Sequence, residues 1–252
     1  MIKKKRFFIN SIFRWTLFLL LSQISTAKKI NAKSKPKVVV LGAGFGGASC
    51  INYLSNFTDL IDLVVIDKNE WIKTCPFSNL VIGSLIDESS ITFKPRFNKN
   101  IKFVVNELKF IDADKKQILF VDDLLLNYDF LIISPGIGYK KKQIQGYSVD
   151  DEENVPHCWD GENKISHFKK KLNSLENNCK IIISSPDYPY RCPPAPYERA
   201  SMIANFLKNK NNKFKILIFD SKNSFTKQNI FLNEWREIYG NSIEWISRKK
   251  GG

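Results

Sequence analysis

Three glycines spaced Gly42-x-Gly44-x-x-Gly47 and two cysteines, Cys75 and Cys192, are the residues whose type and spacing could do chemistry in this chain. The glycines follow an apolar run, Val38-Val39-Val40-Leu41, and lead into a helical stretch from Ala48 to Leu54. A second apolar run, Leu63-Val64-Val65-Ile66, ends on Asp67, 25 residues beyond Gly42. Strand, glycine turn, helix, strand and acid together form the fingerprint of a dinucleotide site. Gly42 permits the tight turn, Gly44 lets backbone approach a pyrophosphate, and Gly47 lets helix and strand pack closely; Gly46 belongs to the same loop. The helix N-terminus offers free N–H groups and the positive end of its dipole to the phosphates. Asp67 is placed to accept hydrogen bonds from a ribose.

A third segment favours FAD over NAD as that dinucleotide. Asn127-Tyr128-Asp129-Phe130-Leu131-Ile132-Ile133-Ser134-Pro135-Gly136 reads as a polar lead-in, a buried strand and a turn that carries backbone toward the cofactor. It resembles the second FAD motif of flavoproteins with two dinucleotide domains, with Ser134-Pro135-Gly136 where Ala-Thr-Gly is common. A second α/β unit begins near Lys180, with a strand at Ile181-Ile182-Ile183, a helix from Arg199 to Lys208 and a strand over Lys215–Asp220. Its first turn, Ser184 to Pro196, has no glycine and five prolines. Missing N–H groups and rigid rings suit a pyrophosphate poorly, so this unit is not expected to bind a nicotinamide nucleotide. The fold expected is α/β, with two Rossmann-like dinucleotide-binding domains of the pyridine nucleotide-disulfide reductase type. An FAD-binding segment over 36–155 would precede a second domain over 156–252, and both would be incomplete.

Cys75 lies in Thr74-Cys75-Pro76-Phe77-Ser78-Asn79 and Cys192 in Arg191-Cys192-Pro193-Pro194-Ala195-Pro196-Tyr197-Glu198-Arg199-Ala200-Ser201. On these strings, with Phe225-Thr226-Lys227-Gln228 and Glu244-Trp245, the chain resembles the flavoprotein subunit of flavocytochrome c sulfide dehydrogenase from about residue 36 to 247. The resemblance implies that Cys75 bonds the 8α carbon of FAD, which keeps the cofactor in place and raises its potential. It implies that Cys192 is one of a pair of redox-active cysteines that sulfide attacks, and that electrons pass through FAD to a c-type cytochrome. Arg191 and the helix that follows are expected to favour a Cys192 thiolate. The family's second redox cysteine and its later FAD-binding segment match no residue here. A truncated or frameshifted product is therefore expected, with catalysis by this chain in doubt.

Composition sets the outer bounds. At 43% hydrophobic and 25% charged residues the chain is neither disordered nor a multi-span membrane protein. Residues 1–27 hold five basic residues and no acid, a short apolar stretch at Trp15–Leu21, and Ser25-Thr26-Ala27. This reads as a cleaved export signal to the periplasm, by the general or twin-arginine route, with no stable membrane insertion afterwards. Of the net charge of +14, residues 28–252 carry +9, spread over solvated lysine runs such as Lys140-Lys141-Lys142 and Lys169-Lys170-Lys171, with no nucleic-acid-binding module. Cys50, Cys158 and Cys179 read as packed or edge residues and His167 as solvated; no metal site, covalent haem motif or hydrolase triad is expected. Two rival readings are a sulfide:quinone or NADH:quinone reductase and a non-catalytic fragment.

Overall fold

Val38–Leu41 is a strand whose two faces are both buried, and this organises the first half of the molecule. The computed structural model describes residues 34–140, 144–147, 154–159 and 164–252; the signal-like segment, Lys141 and Lys142 lie outside them. Strands β1 (Lys37–Leu41) and β2 (Asp62–Asp67) pair in parallel. β5 (Lys102–Val105) adds outside β2 and β9 (Phe130–Ile133) outside β1, giving the parallel order β5-β2-β1-β9. Val38, Val40, Leu63 and Val65 face helix α1 (Phe45–Leu54) through Ile51. Val39, Leu41, Val64 and Ile66 face Ile118 and Phe120 of an antiparallel meander formed by β6 (Leu108–Asp112), β7 (Gln117–Phe120) and β8 (Leu125–Asn127). This double burial explains the uninterrupted β-branched runs, and each side chain so buried contributes about 1.5–3 kcal/mol.

Between the sheet strands a hairpin, β3 (Ile72–Lys73) and β4 (Thr92–Phe93), flanks a short helix α2 (Ser78–Ile82). Helix α3 (Lys164–Asn173) leads into the second unit, a parallel sheet ordered β10 (Cys179–Ser185), β11 (Phe214–Asp220), β12 (Ile243–Ile246). Helices α4 (Ala195–Asn209) and α5 (Gln228–Tyr239) connect its strands, as parallel pairing requires. α1 begins at Phe45 rather than Ala48 because extended Gly44 is its N-cap, and α4 begins at Ala195 because Pro194 and Pro196 suit a first turn. His167 is exposed, Cys50 and Cys179 are half-buried, and Cys158 is buried.

The joint between the units is α2 against α4. Val81 and Ile82 of α2 pack into the same core as Tyr197, Ile203 and Leu207 of α4 and Ile216 and Ile218 of β11. A Cβ on Gly83 would stand 3.1 Å from the Met202 sulfur, so the helices approach closely. Lys73 Nζ and Ser166 Oγ both donate to Glu88, at 2.5 and 2.6 Å, tying α3 to the hairpin.

Candidate functional site

The first site is the glycine loop at the carboxyl ends of β1, β2 and β9. Gly42 sits at φ +95°, where L side chains are strained, and its N–H donates to Ile66 O at 2.7 Å. A Cβ there would lie 2.1 Å from Ser134 O, and one on Gly47 would lie 1.7 Å from Gly42 O. Both positions therefore exclude every side chain. A Cβ on Gly46 would lie 2.8 Å from Ser134 Oγ, so this glycine makes room for the turn at Ser134-Pro135-Gly136, in which Gly136 is at φ +83°. Ser134 N donates to Leu41 O at 2.7 Å. The two segments singled out in the sequence thus form one loop pair.

Gly44 has nothing within 4 Å of its Cβ direction, and no side chain caps α1. That open cradle at a helix N-terminus with unclaimed N–H groups fits a dinucleotide pyrophosphate. Asp67 takes Ala43 N–H on Oδ2 at 2.8 Å and Asn69 N–H on Oδ1 at 2.9 Å. It fixes the loop while each oxygen keeps a lone pair for a ribose hydroxyl.

The second site lies at the α2–α4 joint. Cys75 and Cys192 each stand three residues ahead of a helix, and both are exposed and unpaired. The helices are held in register by Asn79, whose Nδ2 donates to Glu198 Oε2 at 3.1 Å and to Ala195 O at 3.5 Å. Its Oδ1 receives Arg199 Nε at 3.0 Å. This clasp brings the two thiols within electrostatic reach of each other. Cys192 itself is in the left-handed region at φ +60°.

The thiolate expected at Cys192 is not favoured by these surroundings. Partial burial, the Glu198 carboxylate and Cys75 raise the thiol above its ordinary value, and the Ala195 N–H at the start of α4 opposes them only in part. Its alkylation by iodoacetamide is expected to be slower at pH 7 than that of a free cysteine and to go on rising above pH 9. Glu198→Gln is expected to move that rise to lower pH; an unchanged profile in the variant would show that the carboxylate does not act on the thiol.

The second unit ends its middle strand on an acid, Asp220, where Asp67 ends β2 in the first. Asp220 is fully buried and already engaged. Tyr197 OH donates to its Oδ2 at 2.5 Å, Trp245 Nε1 to the same oxygen at 2.8 Å, and Lys222 Nζ pairs with Oδ1 at 2.6 Å. Lys222 also donates to Ser185 Oγ and Pro186 O and lies against the ring of Tyr190. Burial, then Asp220, push the Tyr197 phenol up, so it remains a donor. The crevice where a second nucleotide ribose would meet this acid is filled by the protein's own side chains.

Asn79, Glu198, Arg199 and this Asp220 cluster escaped assignment from sequence. The signal available was the place of Asp220 at the end of an apolar run and the position of Glu198-Arg199 in the first turn of a helix. Among the described residues no group of three or more His, Cys, Asp or Glu could hold a metal ion, and no helix is long and apolar enough to cross a membrane.

A glycine loop of this geometry on a parallel sheet, followed by a second α/β unit, defines a class, and comparison with known proteins agrees. Residues 36–179 match the family description "Pyridine nucleotide-disulphide oxidoreductase", and the chain belongs to that family. Within it, residues 166–252 match "Sulfide dehydrogenase [flavocytochrome c] flavoprotein chain, central". The chain is 44% identical over 45 residues to the flavocytochrome c sulfide dehydrogenase flavoprotein chain of Chlorobaculum thiosulfatiphilum, covering 18% of this chain and 94% of that sequence. It is a chain of that flavoprotein type.

It is also 23% identical over 202 residues to the mitochondrial sulfide:quinone oxidoreductase of Dictyostelium discoideum, covering 77% of this chain and 44% of that one. The sulfide:quinone oxidoreductase structure from Aquifex aeolicus superposes with a TM-score of 0.67 at 22% identity, over 84% of this chain and 51% of that one. NDH2 from Plasmodium falciparum gives 0.64 at 18% identity, over 84% of this chain and 48% of that one. These two structures share the fold, and this chain spans about half their length.

Proposed function

We propose that this chain is the FAD-carrying part of a periplasmic sulfide dehydrogenase that passes electrons to a c-type cytochrome. The observation that supports the reading is the α2–α4 clasp, by which Cys75 and Cys192, distant in sequence, come within electrostatic reach of each other. Gly42, Gly44, Gly46, Gly47, Asp67 and the Ser134–Gly136 turn would hold FAD, and Cys75 would bond it. FAD bound there supplies a two-electron acceptor that releases electrons singly, as a cytochrome requires.

Cys192 is the sulfur that substrate attacks. The sulfur of hydrosulfide bonds to it as the bond between Cys192 and its partner cysteine breaks, and the partner leaves as a thiolate. The family resemblance supplies that second redox cysteine, and the disulfide it forms with Cys192 is the two-electron oxidant of this step. The blocked crevice at Asp220 supports a sulfur compound, rather than a nicotinamide nucleotide, as electron donor. The signal-like N-terminus supports export, and the domain limits proposed are 36–155 and 156–252.

Anaerobic addition of sulfide to the FAD-loaded chain is expected to bleach the flavin absorbance, and cytochrome c to restore it. Cys192→Ser is expected to slow the bleaching about 1,000-fold or more, as loss of the group that forms the covalent intermediate does. Bleaching by NADH faster than by sulfide would replace this reading with an NADH dehydrogenase, and reoxidation by a quinone but not by cytochrome c would replace it with a sulfide:quinone reductase.

A further inference from the structure

Arg199 is 5% exposed, and among the described residues no carboxylate pairs with it. Its guanidinium is aimed by three contacts: Nε donates to Asn79 Oδ1 at 3.0 Å, Nη1 donates to the His157 carbonyl, and its Cζ lies 3.5 Å from the centre of the Trp159 ring. The third nitrogen, Nη2, is buried and has no hydrogen-bond partner among the described residues. A buried cation lacking an anion, with an N–H left unmade, is unfavourable on both counts unless an anion forms beside it. Among the described residues, the ionisable groups within its electrostatic reach are Cys158, Cys75 and Tyr139, all of them neutral in their protonated forms. Burial draws the guanidinium pKa down to about 10, which leaves it charged at neutral pH.

We propose that Arg199 sets the reduction potential of the flavin carried at Cys75, its uncompensated guanidinium stabilising the negative charge gained on reduction. The inference rests on the FAD reading of Cys75 given above. Two electrons from the sulfur substrate and one proton from solvent leave the ring system with one net negative charge. A fixed cation whose own charge is shielded from water by burial favours that state, and no protein bond is made or broken. Arg199 does not touch the reacting sulfur. It is a positioning residue held by Asn79, and its effect is read in a potential rather than in turnover alone.

The test is the midpoint potential of the FAD-loaded full chain, measured by anaerobic spectroelectrochemistry in wild type, Arg199→Gln, Arg199→Lys and Asn79→Asp. Arg199→Gln is expected to lower the two-electron equilibrium constant at least tenfold, a shift of about 30 mV. Arg199→Lys keeps the charge but not the fork, and is expected to keep most of the potential. Asn79→Asp puts a carboxylate against Nε, supplies the missing counter-charge and is expected to lower the potential as Arg199→Gln does, even if the latter fails to fold. A potential unchanged in Arg199→Gln, or in Asn79→Asp where only that variant folds, overturns the proposal. So does an equal fall in Arg199→Lys and Arg199→Gln, which would assign the effect to contacts rather than charge. Absence of covalent FAD in the denatured wild type would instead sink the Cys75 reading, and the same potentials measured on dissociable FAD would then decide the Arg199 proposal by itself.

Discussion

Replacement of Cys75 by serine is expected to abolish covalent flavin completely. After loading with FAD and denaturation, the wild-type chain should carry an FAD-sized mass increment and flavin fluorescence, and Cys75→Ser should carry neither. A serine hydroxyl is a far weaker nucleophile than a thiol at neutral pH. Cys75 is exposed and packs into no core, so the change should leave stability within about 0.5 kcal/mol. Loss of the increment would therefore report chemistry and not unfolding. Cys192→Ser, at the same joint, should keep the increment, which separates the attachment site from the sulfur site. An increment that persists in Cys75→Ser would move the bond to another residue; the buried Cys158, within reach of Arg199, would be the next to replace.

The second large effect is expected at Asp220. Asp220→Ala would strand the buried Lys222 ammonium and leave Tyr197 OH and Trp245 Nε1 without their acceptor. Removing one partner of a buried pair costs about 3–5 kcal/mol, enough to take a large share of the stability of a domain of ordinary size. Urea unfolding followed by tryptophan fluorescence reads it directly, since Trp235 and Trp245 belong to this core. Adding Lys222→Met to Asp220→Ala should recover much of the loss, because an ion pair replaced as a whole by apolar groups is often neutral. A loss below 1 kcal/mol in the single variant would show that water reaches the cluster and that the crevice is not closed.

The first unit was legible because its instructions are local. Gly42, Gly47 and Asp67 lie within one strand–helix–strand passage, and the backbone there admits nothing larger than hydrogen at the two glycines. The Ser134 turn was legible as a motif, but its contact with Gly46 joins residues far apart in the chain and belongs to the tertiary structure. At Cys192 the neighbour in sequence and the neighbour in space carry charges that push the thiol in opposite directions. Arg191 is adjacent in sequence, yet the charged side chain that acts on the thiol is Glu198, brought there by the first turn of α4 and held by Asn79. Neighbours in sequence set helix and strand, whereas electrostatics follows distance through space.

By itself the amino-acid sequence determined the two α/β units and the dinucleotide loop, and it singled out Cys75 and Cys192 as candidates. Each of these rests on hydrophobic periodicity, on backbone freedom at glycine or on a short string, all properties of adjacent residues. Only the tertiary structure decided that Cys75 and Cys192 come within electrostatic reach of each other, that Asp220 is consumed by Tyr197, Trp245 and Lys222, and that Arg199 is buried with an unused donor. These depend on how α2 packs on α4 and on which polar atoms that packing leaves without partners, and neither is written in any local stretch of chain.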